Sequence, residues 1–161
     1  MRLELGRRAD YAIRATLALA SGYPSGELCK ARTIAEEMAI PQSYIPQILA
    51  ELVRAGIADS VAGRDGGYRL ARDPGDVTLL EVVEAADGEV ISTSCVLRSG
   101  PCRWEDLCAV HVPWARAQFA LLDSLAEVTF ADITAIDAAL VDGTYRIPDD
   151  VLPARERARA G

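Results

Sequence analysis

Between positions 57 and 70 the hydrophobic rhythm changes from that of a helix to that of a strand, and this change limits the fold more than any other feature. Ile57-Ala58-Asp59-Ser60-Val61 alternates apolar and polar residues, Gly63-Arg64-Asp65-Gly66-Gly67 follows, and Tyr68-Arg69-Leu70 closes the segment. Two short strands on a glycine-rich tip form a β-hairpin. The remaining apolar spacing is helical or irregular, so the sequence predicts a mostly α chain with one small hairpin.

Three helices precede the hairpin. Ala9 to Ala20 carries Ile13, Leu17 and Ala20 at three- and four-residue intervals, and Ser21-Gly22-Tyr23-Pro24-Ser25-Gly26 ends it in a loop. Ala31 to Met38 turns Ile34, Ala35 and Met38 inward. After Ala39-Ile40-Pro41-Gln42, Ser43 caps a third helix whose first turn accepts Pro46, whose stripe is Ile45, Ile48, Leu49, Leu52 and Val53, and which Gly56 closes. Beyond the hairpin, Asp73-Pro74-Gly75 turns, and a helix runs from Thr78 to Asp87-Gly88. A long helix from about Trp114 to Val128 carries Phe119, Leu122 and Leu125 on one face, and Thr129 and Asp132 give a shorter final helix a capping-box spacing. The polar, arginine-rich end beyond Pro153 reads as frayed.

Helix, short turn, helix and a glycine-tipped wing is the order of a winged helix-turn-helix, with a bundle fragment as the lesser alternative reading of the helix pair. In the first reading Gln42, Ser43, Tyr44 and Gln47 suit base edges and phosphates, and Arg64 at the wing tip suits a narrow minor groove. Ala39 departs from the glycine that many such turns use, which does not exclude the motif, since the turn can be built differently. The net charge of -7 argues against a nucleic-acid partner only as an average: residues 1–72 hold 10 basic against 8 acidic side chains, and residues 73–161 hold 7 against 16. Any contact with phosphates must therefore come from the front half.

The rear half holds Cys95, Cys102, Cys108 and His111, spaced as Cys-x6-Cys-x5-Cys-x2-His. Clustered thiols at loop spacing converge on a soft metal or an iron-sulfur cluster, and Gly100-Pro101 supplies a bend before Cys102. The paired Cys-x2-Cys knuckles usual for zinc are missing. The competing reading is a set of small buried thiols beside a core histidine, and the isolated Cys29 reads as such an inert thiol. Trp104 and Trp114 flank the loop and suit shielding or helix packing; Tyr11 reads as core.

Taken together, Met1-Arg2-Leu3, Asp10-Tyr11-Ala12-Ile13-Arg14, Ile34-Ala35-Glu36, Ser43-Tyr44-Ile45, the wing from Gly63 to Leu70 and the cysteine triad resemble the Rrf-type regulators over about residues 1–140. The resemblance implies a homodimeric winged-helix protein on double-stranded operator DNA, paired through the long helix after the cysteines, with the cluster loop beside the partner's DNA-binding domain. It implies that Cys95, Cys102 and Cys108 hold an iron-sulfur cluster. His111 matches the fourth ligand of the family's cluster-assembly type, which goes with 2Fe-2S. Asp10 matches the partner-subunit carboxylate of its nitric-oxide-sensing type, which goes with 4Fe-4S. Pro46 and Ala62 depart from polar and arginine positions that the family uses on DNA, and Arg64 can take over the reach lost at Ala62.

These readings divide the chain into a winged helix-turn-helix region at 1–72, a connecting helix and cysteine loop at 73–113, a dimerisation helix and short final helix at 114–145, and a flexible tail at 146–161. The function expected is a cytoplasmic transcriptional repressor that senses redox state, nitric oxide or iron. A thiol- or zinc-based regulator of the same fold and a small iron-sulfur electron carrier are the alternatives. Catalysis is disfavoured: the one histidine has no nucleophile partner, and Gly63-x2-Gly66-Gly67 lacks the lysine of a phosphate loop. No run approaches the roughly 20 apolar residues of a membrane span, and no apolar signal core follows Met1, so no membrane partner is expected.

Overall fold

The computed structural model describes residues 4–90, 108–148 and 151. Six α-helices and one hairpin are present there: α1 (Arg7–Gly22), α2 (Ala31–Glu37), α3 (Ile45–Arg54), β1 (Ala58–Val61), β2 (Gly67–Leu70), α4 (Leu79–Asp87), α5 (His111–Glu127) and α6 (Phe130–Val141). None of these helices is long and apolar enough to cross a membrane. The mostly α fold with a hairpin wing is as the sequence predicts.

Helix α1 is the centre of the packing and touches α2, α3, α4, α6 and β2. Its buried face differs from the expected stripe. Ala9, Ala12 and Ala15 are fully buried along with Thr16 and Leu19, while Ile13 and Leu17 are only half-buried. Alanines let neighbouring backbones approach, so the side with the smallest side chains becomes the inner one. The buried Thr16 hydroxyl is satisfied by donating to the Ala12 carbonyl at 2.8 Å.

Helix α3 buries Ile45, Ile48, Leu49 and Leu52, as its spacing predicts, and Pro46 sits in its first turn. Gly56, at φ +69°, ends it with the Gly56 amide donating to Val53 O (3.0 Å) and the Ile57 amide to Leu52 O (2.9 Å). Ser43 does not cap this helix. The Tyr44 amide closes a turn onto Pro41 O at 2.9 Å, which leaves Tyr44 at the cap position and Ser43 one residue outside.

The hairpin pairs Ala58 with Leu70 and Val61 with Gly67. Only Ala58 and Leu70 of its strands are buried, so the expected alternation is replaced by a wing that is mostly solvated. Two glycines are sterically required. A Cβ on Gly66 would lie 2.0 Å from Val61 O, and one on Gly67 would lie 2.7 Å from Cys29 O. The second approach arises because Cys29 and Tyr68 exchange backbone hydrogen bonds, each 2.8 Å, that tie the wing to the entry of α2.

Thr78 and Glu81 form a complete capping box on α4, at the helix start the sequence predicts, and Thr129 and Asp132 form another on α6, at the spacing expected. Burial works to raise the Glu81 pKa, but hydrogen bonds from Thr78 and Arg72 outweigh it and hold the carboxyl below its usual value. Helix α5 begins at His111, one turn earlier than expected, because Pro113 falls in the first turn, where its missing N–H costs nothing. Phe130, at the start of α6, is fully buried in the same apolar cluster as α1. The tail expected to fray beyond Pro153 lies outside the described residues.

The turn between α2 and α3 contains the one non-glycine residue with positive φ among those described, Ala39 at +52°. The left-handed turn is therefore built with alanine in the glycine position and not by another route. Because Ala39 is exposed, Ala39→Gly should raise unfolding stability by about 0.5 kcal/mol, the relief of left-handed strain less the added entropy of the unfolded chain. Urea denaturation checks this, and a destabilised variant would contradict the strain assignment.

Candidate nucleic-acid interface and cysteine site

The exposed front of the helix pair is formed by the α2–α3 turn and the first turn of α3. Gln42 and Ser43 lie in the turn before the helix and are exposed. Gln42 Nε2 donates to Arg32 O at 3.4 Å. Tyr44 is 38% exposed, and its ring meets that of Tyr11 edge-on at 5.3 Å. Tyr11 is half-buried against the core, in line with the role expected of it, and its outer edge backs Tyr44. Gln47 is exposed one turn further on and donates to Glu51 Oε1 at 3.1 Å.

Arg64 is exposed at the wing tip. Its backbone carbonyl accepts from Lys30 Nζ at 2.8 Å, and the same ammonium also hydrogen-bonds Gly66 O. The lysine before α2 thereby holds the tip that presents the arginine. Sequence reasoning missed this role, since nothing local to Lys30 signals a contact 34 residues away; its being the sole lysine was the only hint.

Of the cysteine site, Cys95, Cys102 and Trp104 lie outside the described residues. Cys108 is half-buried and His111 exposed, and the His111 amide donates to Cys108 O at 3.1 Å in the turn that opens α5. The histidine is the first residue of α5 and not part of an irregular loop. Trp114 is half-buried on the same first turn. Asp10 is engaged elsewhere: Arg14 holds both its oxygens, through Nε at 2.9 Å and Nη2 at 2.7 Å, and also reaches Met38 O at 3.3 Å. No group of three metal-ligating side chains occurs among the described residues. Cys29 is half-buried, and burial together with Glu37 and Glu27 pushes its thiol pKa up, so it stays protonated at neutral pH.

The Rrf2 family, described as iron-dependent transcriptional regulators, matches residues 5–136. The chain belongs to this family. It is 32% identical over 131 residues to the HTH-type transcriptional regulator IscR of Cronobacter sakazakii, covering 81% of this chain and 80% of that one. The IscR of an Enterobacter strain is 31% identical over 81% and 79% of the two chains. Among solved structures, CymR, the global cysteine regulator of B. subtilis, superposes with a TM-score of 0.70 at 21% identity, covering 83% of this chain and 98% of that one. The T. potens IscR structure gives a TM-score of 0.68 at 23% identity over 91% and 94%. At these identities the two structures establish the winged-helix fold alone. The protein is a DNA-binding transcriptional regulator of the Rrf2 type, and its curated relatives are named as regulators and not as enzymes.

If Lys30 anchors the wing of this Rrf2 regulator, Lys30→Met should speed exchange of the Gly66 amide, which donates to Gly63 O at 3.1 Å. About tenfold is expected from losing charge-assisted hydrogen bonds to two carbonyls. Unchanged exchange in hydrogen-exchange NMR would show that the glycine tip holds itself.

Proposed function

We propose that this chain acts as a homodimeric repressor whose DNA affinity is set by an iron-sulfur cluster. One observation carries the reading. Helix α5 opens on Cys108 and His111, yet along its 17 residues no side chain is buried, with Phe119 56% exposed and Leu121 exposed beside it. Helix α5 packs on α4 and half-buries Leu122 and Leu125, but Phe119 and Leu121 stay open to solvent on a helix that begins at Cys108 and His111, and these apolar side chains call for a second copy.

The donor set fits the cluster: thiolates from Cys95, Cys102 and Cys108 with an imidazole or carboxylate as the fourth group are ordinary ligands of iron-sulfur centres. When bound, such a group supplies a centre responsive to electron transfer and to nitric oxide. His111 is the favoured fourth ligand, since it is exposed one turn from Cys108, whereas Asp10 must first give up its two bonds to Arg14. On the DNA side, Gln42, Ser43, Tyr44 and Gln47 approach a major groove and Arg64 the flanking minor groove, with 1–72 acting as the DNA-binding region and 114–145 as the pairing region. Ligand state at the mouth of α5 would bias the spacing of the two recognition helices, a population shift between binding-competent and incompetent dimers. Cytoplasmic location goes with this reading.

Anaerobically purified protein should contain iron and absorb visible light. His111→Ala should lose both while Asp10→Ala keeps them, and the reverse pattern would assign the carboxylate. Protein without iron or visible bands would favour the thiol- or zinc-based version of the same regulator.

Light scattering at micromolar concentration should return twice the 17.3 kDa chain mass. Phe119→Asp, which places a charge on the uncovered face, should return it to the single-chain value. A monomeric parent protein would remove the dimer from the reading.

A further inference from the structure

Glu51 is a carboxylate on the recognition helix α3 that is only 4% exposed. Burying a carboxylate is costly unless partners compensate for the water it loses, and here they do so unevenly. Oε1 accepts from two donors, Arg8 Nη2 of α1 and Gln47 Nε2 at 3.1 Å, while Oε2 is buried with no hydrogen-bond partner among the described residues. The side chain is therefore not arranged for its own best solvation. Its one engaged oxygen is turned to an arginine of α1 and to Gln47 on the exposed side of α3.

The geometry points to Glu51 as a positioning residue that fixes which edge of the Gln47 amide faces DNA. The inference rests on the reading of α3 as the groove-entering helix. An ionised carboxylate can only accept, so Gln47 must turn its amide nitrogen inward, and its carbonyl oxygen is directed away from Glu51. An unrestrained glutamine flips at little cost and offers donor or acceptor to whichever base is present. Held by Glu51, Gln47 keeps one N–H and one carbonyl oxygen for the groove, the pair that matches N7 and the N6 amino group of adenine. Arg8 neutralises the carboxylate, so this restraint does not place a net negative charge against the phosphates.

The test uses the full chain, purified anaerobically, and a duplex recovered by selection from a random-sequence pool. Affinities for that duplex and for each of its single base-pair substitutions are measured by fluorescence anisotropy. Gln47→Ala and Glu51→Met should each lose about tenfold discrimination at the same A·T position and leave other positions unchanged, and the double variant should be no worse than either. Glu51→Gln, which keeps an acceptor, should recover part of the preference. Methionine matches the buried volume of glutamate, and thermal melts check that each variant is folded. An even loss of affinity at every position, or an unaltered profile in folded Glu51→Met, would overturn the proposal. If Gln47→Ala is silent while Tyr44→Ala alters the profile, α3 still reads DNA and the Glu51 role is wrong; if both are silent, the assignment of α3 to the groove falls with it.

Discussion

Close approach of backbones along the alanine face of α1 is the constraint on which the rest of this molecule depends. With Ala9, Ala12 and Ala15 fully buried, α1 accepts α3 and β2 from the front half of the chain and α4 and α6 from the rear half against one helix. A larger side chain at any of these positions would push apart the elements that meet on α1, since overpacking a dense core costs about 1–3 kcal/mol per site. The same helix carries Arg8, Asp10, Tyr11 and Arg14 on its outer side, so the packing that holds the fold also sets where these polar groups stand. Front and rear halves with opposite charge balance are thereby made into one body.

Much of this arrangement is legible in the sequence because its boundaries are marked by residues with strong local preferences. Thr78 with Glu81 and Thr129 with Asp132 announce helix starts, Gly56 announces an end, and Gly66-Gly67 announces a tip that no other residue could form. The inner face of α1 is not legible in the same way. Ile13 and Leu17 are the strongest hydrophobes there, and a stripe drawn through them misses that the fold selects for small volume over apolar area. The start of α5 was hidden by Pro113, which marks a boundary in one context and a first turn in another.

For the candidate site, the sequence shows which residue types are exposed at the start of α3 and at the wing tip but not what holds them. Tyr44 leans on Tyr11, the wing tip hangs from Lys30, and Gln47 is tied to Glu51. The first two contacts join residues 33 and 34 positions apart and carry no local signature. The third lies at helical spacing, but a glutamate beside an apolar stripe reads as a solvated charge until its burial is known. The spacing of the cysteines names donors; only Cys108 and His111 belong to the described residues, where both stand at the entry to α5.

The two ends of α5 are held very differently. Just past its last turn, Leu79 N donates to Val128 O and Phe130 N to Val77 O, each at 2.8 Å, and Phe130 is sunk in the core. The other end begins at an exposed histidine. Seventeen residues at the helical rise form an arm of about 25 Å with a fixed pivot at one tip. Because α5 rests on α4 and is tied at Val128, any displacement at His111 would act at the end farthest from that tie, with the exposed Phe119 halfway along.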